Sequence, residues 1–182
     1  MTGPPDIETL SSTLVYENRW TRVYEDRIRR RDGSEGIYGW ADKNNFVVVA
    51  AIEDGMIHMV EQYRYPVGKR IWELPQGGLQ GRPEVPLDEV AHIELAEETG
   101  LRAASMERLG QIYPAYGFVN SFFQPFLATG LTPGETDREA EEQDMVHRAF
   151  ALAEVLEMAR GGTIQDGPTI ATLGLLSLQG RI

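Results

Sequence analysis

Between Gly77 and Leu101 the chain reads GGLQGRPEVPLDEVAHIELAEETGL. The second half of this stretch carries the marks of a helix. Pro86 suits a first turn, Asp88 and Glu89 follow where a helix N-terminus favours negative charge, and Gly100 supplies a left-handed cap. At roughly 100° per residue, Leu87, Ala91, Glu94 and Glu98 fall within about 60° of one another, so two carboxylates share a meridian with the apolar stripe. Glu97 sits on the flank of the same face. Unpaired charges buried where the pattern asks for Leu or Val are costly, so a cation is expected to meet these acids.

The residue types narrow the cation. Glu94, Glu97 and Glu98 follow a Gly-rich loop able to offer backbone carbonyls, which gives an all-oxygen donor set with no His or Cys among the acids. Such donors favour a hard ion, Mg²⁺ or Mn²⁺, which commonly shares its coordination with substrate phosphates. An ion held there would offset the repulsion between carboxylates and a diphosphate, and would lower the pKa of a bound water. Phosphoanhydride hydrolysis is the reaction class that follows.

Composition excludes several other classes. With 17 Lys and Arg against 28 Asp and Glu, the net charge of -11 argues against an electrostatic grip on nucleic acid or on an anionic membrane. The chain has no cysteine, so disulfides, thiolate metal sites and cysteine nucleophiles are ruled out. The N-terminus lacks the basic start and apolar run of a signal peptide, and the apolar run Phe46 to Ile52 is far too short to span a bilayer. A cytoplasmic protein is expected. The 182 residues suit one domain of ordinary size with a small N-terminal extension.

Taken in order, residues 1 to about 12 read as a loose tail because of Gly3, Pro4 and Pro5. Leu14–Tyr16, Trp20–Ile28 and Ile37–Trp40 read as strands of an antiparallel hairpin unit, with Asp32-Gly33 as a turn. The run Arg27, Arg29, Arg30 and Arg31 could contact phosphates, but it better suits an exposed hairpin whose charges discourage edge pairing. Asn45–Ile52 and Met56–Gln62 flank the turn signal Asp54-Gly55 and read as central strands. In the next segment Arg64, Lys69 and Arg70 alternate with Tyr65 and Trp72, a mixture of cations and rings suited to a nucleotide. Ala103–Ile112, Phe122–Thr129 and Met145–Phe150 read as further strands, and Leu152–Arg160 as a helix. A last helix starts at Asp166 and Pro168. Tyr113, Tyr116 and Phe118 lie in a connection expected to line a pocket, and Thr132–Asp144 forms an acidic loop. Strands interleaved with helices imply a mixed sheet with helices on its faces.

The same residues resemble the Nudix box: Gly, five residues, Glu, seven residues, then Arg-Glu-apolar-x-Glu-Glu-x-Gly-apolar. Gly78 and Glu84 match its start, and Glu94, Leu95, Glu97, Glu98, Gly100 and Leu101 match its end. The segments EQYRYPVG, WELPQGG and QDGPTIATLGLL extend the resemblance, closest to the branch that cleaves nucleoside diphosphate sugars, ADP-ribose above all. It implies an α/β/α sandwich with a mixed β-sheet and an N-terminal antiparallel hairpin extension. Residues 1–44 would be a dimerisation element and 45–182 the Nudix domain of a homodimer. It further implies Mg²⁺, with Mn²⁺ possible, held by Glu94, Glu97, Glu98 and the Gly77 carbonyl. Arg64 would face the diphosphate of a nucleotide-sugar substrate, with Tyr65, Trp72, Glu73 and Tyr116 also binding substrate. Glu97 and Glu98 would serve catalysis, and Glu141 or Glu142 would be the mobile acid that some members use to activate water.

Two features depart from the pattern. The box is one residue longer between Glu84 and Glu94, with Ile93 where an Arg is expected and His92 at the seven-residue interval. Tyr116 before Gly117 resembles enzymes acting on dinucleoside polyphosphates. Hydrolysis of triphosphates or dinucleoside polyphosphates, and a catalytically weakened nucleotide-binding module, therefore stand as alternatives.

Overall fold

The computed structural model describes residues 5–78, 85–136 and 144–182. They fall into two units, one made of the residues up to Asn44 with Ala115–Ser121, the other of Asn45–Pro114 with Phe122–Ile182.

In the first unit β1 (Ile7–Glu17), β2 (Arg22–Arg30) and β3 (Glu35–Asp42) form an antiparallel sheet in that order. The expected loose tail is thus strand from Ile7 onward, which lengthens the first of the three expected strands. Local Gly and Pro signals yield here to cross-strand pairing: Ile7 stands opposite Arg30, while Glu8 pairs with Arg29 and Asp6 with Arg31. Arg27 and Arg29 also reach Glu35, so the arginine run is spent on surface ion pairs, as an exposed hairpin would spend it. Tyr24 stacks on Trp40 at 4.8 Å between ring centroids, and the Trp40 indole donates to Asp26. The Ala115–Ser121 segment joins this unit through the Ala41 N–H to Phe118 carbonyl bond and the Tyr38 hydroxyl, which donates to the Gly117 carbonyl.

The second unit is built on β4 (Phe46–Glu53), whose Val47 to Ala51 are fully buried, as expected of a strand covered on both faces. A tight turn at Asp54 and Gly55, both with positive φ, leads into β5 (Met56–Arg64). β6 (Lys69–Glu73), β7 (Gln76–Gly77), α1 (Leu87–Thr99), β8 (Leu101–Arg108), β9 (Phe123–Pro133), β10 (Val146–Ala151), α2 (Leu152–Arg160) and α3 (Gly167–Leu178) complete it. The sheet runs β10-β5-β4-β9-β8, with β6 beside β5 and β7 beside β4. Only β4 and β9 pair in parallel among the named strands, which makes the sheet mixed.

Alternation along β4 divides the core. Val48 and Ala50 face α2 and α3 with Ile57, Met59, Leu74, Val155, Leu173 and Leu176. Val47, Val49 and Ala51 face α1 with Val90, Ala91, Leu95 and Phe126. The result is the three-layer α/β/α arrangement expected. No helix among the described residues is long and apolar enough to cross a membrane.

Two helix ends are fixed by the sequence signals noted above. Gly100 is left-handed, at φ 75°, and closes α1. Asp166 accepts the Thr169 N–H at 2.8 Å and caps α3. Thr169 in turn accepts the Leu74 N–H at 2.9 Å, which ties the start of α3 to the chain leaving β6.

Candidate active site

The buried face of α1 consists of Val90, Ala91, Glu94, Leu95, Glu98 and Thr99. Its apolar members pack on β4 and β9, whereas both glutamates meet β7. Glu98 is fully buried, and its Oε2 accepts the Gln76 N–H at 3.1 Å. Glu94 lies against the next residue, Gly77. A β-carbon at Gly77 would stand 2.5 Å from Glu94 Oε2 and 2.7 Å from its carboxyl carbon. A side chain at position 77 would therefore force the Glu94 carboxylate to move from where it lies. Gly78 repeats the theme, since a β-carbon on it would meet the Asn45 carbonyl oxygen at 2.8 Å.

Glu97 takes a different position. It is half-buried and lines an open groove of about 370 Å³ with Glu89, His92, Ile93, Ala96 and Arg102. Arg102, exposed at the start of β8, was not singled out by the sequence pattern, because it lies one residue beyond the box. His92 is exposed and Ile93 half-buried.

The second half of the site comes from β5 and β6. Arg64 donates through Nε to Glu73 Oε2 at 3.1 Å and through Nη2 to Oε1, and Gln62 adds a bond to Oε1 at 2.8 Å. Glu73 is 1% exposed, whereas the Arg64 side chain keeps 39% of its surface in solvent. Burial alone would depress the Arg64 guanidinium, but Glu73, with Asp166 and Glu98 behind it, holds its pKa above the ordinary value. At the other end of the pair, burial pushes the Glu73 carboxyl above its usual range and outweighs the opposing pull of Arg64. The deeper partner is thus governed by desolvation and the shallower one by its neighbours' charge. The field of Glu98 at Arg64 links the arginine to the α1 carboxylates. Asp166 acts on both members of the pair, a role that its capping signal did not announce.

The remaining expected residues separate. Tyr65 is 85% exposed on a short 3-10 turn, Tyr65–Val67. Trp72 does not join Glu73, because consecutive residues of a strand point to opposite faces. Its ring meets Phe150 edge-on at 4.9 Å, against the α2–α3 core. Lys69 binds Gln165, and Arg70 binds Glu61 and Asp144, so neither cation lies over Tyr65 or Trp72. Tyr116 belongs to the first unit and is 83% exposed. Glu84, Glu141 and Glu142 lie outside the described residues.

The donor set at β7 and α1 fits a hard divalent cation. It offers only oxygen, two buried carboxylates carry the charge, and the Cβ-less Gly77 keeps its backbone in contact with one of them. Among the described residues no three His, Cys, Asp or Glu side chains gather closely enough to enclose an ion. An ion here would complete its shell with backbone, water and phosphate oxygens, as Mg²⁺ commonly does.

Residues 7–41 match the family model described as the nucleoside diphosphate sugar hydrolase N-terminal domain. The chain is 33% identical over 175 residues to an ADP-ribose pyrophosphatase of Mycobacterium tuberculosis, covering 95% of this chain and 83% of that one. It is 32% identical over 174 residues to an ADP-ribose pyrophosphatase of Bacillus subtilis, covering 94% and 93%. A crystal structure of an ADP compounds hydrolase superposes with a TM-score of 0.86 over the whole of both chains at 20% identity, a likeness of fold.

Proposed function

The chain belongs to the ADP-ribose pyrophosphatase-like branch of the Nudix pyrophosphohydrolases, and we propose that it splits the pyrophosphate bond of a nucleoside diphosphate sugar, ADP-ribose first, into a nucleoside monophosphate and a sugar phosphate. The observation that supports this is the seating of Glu94 and Glu98 against the Gln76-Gly77 backbone, with Arg64 in the field of Glu98.

Glu94, Glu98 and the Gly77 carbonyl are the groups that would hold Mg²⁺, with Mn²⁺ as a substitute; Glu97, which closes no three-acid set with them in the structure, would reach the ion through water. When bound, such an ion supplies charge neutralisation of the diphosphate and a more acidic water. Arg64 has five N–H donors and gives two of them to Glu73, so three remain for phosphate oxygens. Glu73 holds the guanidinium plane in register for that task. A water oxygen bonds to one phosphorus while that same phosphorus loses its bond to the bridging oxygen, which leaves on the other phosphate. Glu97, half-buried beside the groove, takes the water proton; Glu142 is the other acid proposed for that step. Tyr65 is the exposed ring available to a base. The first unit, with Leu14, Val15, Tyr16 and Ile37 exposed on its strands, is proposed to join two chains in a cytoplasmic homodimer.

A second reading, nucleotide binding with weakened turnover, is favoured by one observation: an exposed imidazole and an apolar side chain stand where the family's arginine would brace the glutamates. One experiment separates the two. Purified protein is incubated with Mg²⁺ and ADP-ribose, other nucleotide sugars, dinucleoside polyphosphates or triphosphates, and products are resolved by chromatography. Release of AMP and a sugar phosphate from ADP-ribose is expected; binding with no product from any nucleotide sugar would overturn the proposal.

A further inference from the structure

We infer that His58 and His147 form a two-histidine site for a borderline divalent ion such as Zn²⁺ or Ni²⁺, separate from the all-oxygen site on α1. His58 lies in β5 opposite Ala149, and His147 lies in β10 opposite Val60, which puts the two imidazoles on one face of the sheet as diagonal neighbours. His58 Nδ1 and His147 Nε2 stand 2.9 Å apart, with ring planes 25° from parallel.

That spacing is what an ion needs. Zn–N bonds of about 2.0–2.1 Å at square to tetrahedral angles put two ligand nitrogens roughly 2.9–3.4 Å apart. As a hydrogen bond the pair must hold one proton between two nitrogens, and an ion replaces that proton once both rings turn their lone pairs from the N–N line toward a common apex. Both residues are half-buried between paired strands, so their rotamers are largely fixed before an ion arrives. Burial, opposed by Glu53, lowers the His58 pKa and favours the neutral ring that a metal requires.

Ligand chemistry separates this site from the other one. Imidazole suits Zn²⁺, Ni²⁺ or Cu²⁺, while carboxylate and carbonyl oxygens suit Mg²⁺. The chain has three histidines and no cysteine, and the third histidine, His92, is exposed on α1. Among the described residues no third His, Cys, Asp or Glu completes a set of three, so two imidazoles are the ligands on which the site is proposed and the expected affinity is that of a two-ligand site. An ion here would clamp β10 to β5 and stiffen the entry to α2, which starts at the next residue after β10.

Metal-stripped protein is titrated with ZnCl₂ in excess Mg²⁺, by calorimetry and by imidazole NMR. One Zn²⁺ per chain is expected, with two of the three histidine spin systems perturbed and His92 unchanged. His58→Asn and His147→Asn should each weaken binding by about tenfold or more, and His92→Asn should leave it unaltered. No saturable binding, or perturbation of His92 rather than the pair, would overturn the site. The NMR reading on the unsubstituted chain decides even if a variant folds poorly, and neither readout depends on hydrolase activity.

Discussion

The carboxylate of Glu94 occupies the space that a β-carbon would take at Gly77: Oε2 lies 2.5 Å from that position. Gly77→Ala must therefore push Glu94 off β7. A fall of about two orders of magnitude in kcat/KM is expected if Glu94 serves the diphosphate site, against a stability cost of about 1–3 kcal/mol for overpacking. Gly174→Ala is the control. Gly174 sits exposed within α3 with nothing near its β-carbon position, so alanine should add about 0.5–1 kcal/mol of stability and leave activity alone. Paired thermal melts and steady-state kinetics check both, and an active Gly77→Ala enzyme would remove Glu94 from the site.

Glu98→Gln tests the deeper carboxylate without disturbing its shape. The Gln76 N–H bonds to one carboxylate oxygen, and a glutamine side chain keeps a carbonyl oxygen able to accept it. The charge disappears while the backbone contact survives. Turnover should drop by about two orders of magnitude or more with the circular dichroism spectrum unchanged. Near-normal turnover at saturating Mg²⁺ would show that Glu98 holds no metal.

The Arg64–Glu73 pair gives a pH signature. Burial raises the Glu73 pKa in the folded chain, so this group contributes stability below the ordinary glutamate value of about 4.3 and loses it as pH rises through the folded value. Glu73→Gln abolishes that slope. Urea denaturation from pH 4 to pH 7 should show the parent losing stability relative to the variant as pH increases, and parallel curves would contradict the desolvation account. Arg64→Lys keeps the charge but cannot make the two-pronged contact, so KM for ADP-ribose should rise more than kcat falls.

Much of this was legible in residue order. Gly100 as a cap, Asp54-Gly55 as a turn, Leu152–Arg160 as a helix and the Glu94–Glu98 meridian all follow from local rules, and local rules sufficed because each feature is decided within a few residues. Ile7–Ser12 reads as tail by local signals, because its strand state depends on pairing with β2 across the sheet, a contact that the Gly3-Pro4-Pro5 signal cannot report; Leu14–Tyr16 in the same strand is legible from its own pattern. The resemblance implies a substrate contact for both Trp72 and Glu73, but a strand sends neighbours to opposite faces, and Trp72 packs on Phe150. Asp166 and Arg102 approach the site from distant or adjoining elements, and only folding brings their charges into its field.

Ile93 decides how far this box departs from a braced one. On α1 it stands four residues after Glu89 and four before Glu97, and all three line the same groove with Arg102. An arginine at position 93 would reach either glutamate, whereas His92, which also lines the groove, stands at three- and five-residue intervals from Glu89 and Glu97. A partly exposed ion pair of this kind is worth about 0.5–1 kcal/mol, equivalent to roughly two- to fivefold in kcat/KM if it steadies Glu97 in the reacting position. Ile93→Arg should therefore gain that factor, together with tighter Mn²⁺ binding measured directly, while His92→Ala should change kcat/KM by less than about twofold. If Ile93→Arg instead lost activity with Mn²⁺ affinity unchanged, the bracing account would fail, and Arg102 would be the residue already supplying positive charge to the groove.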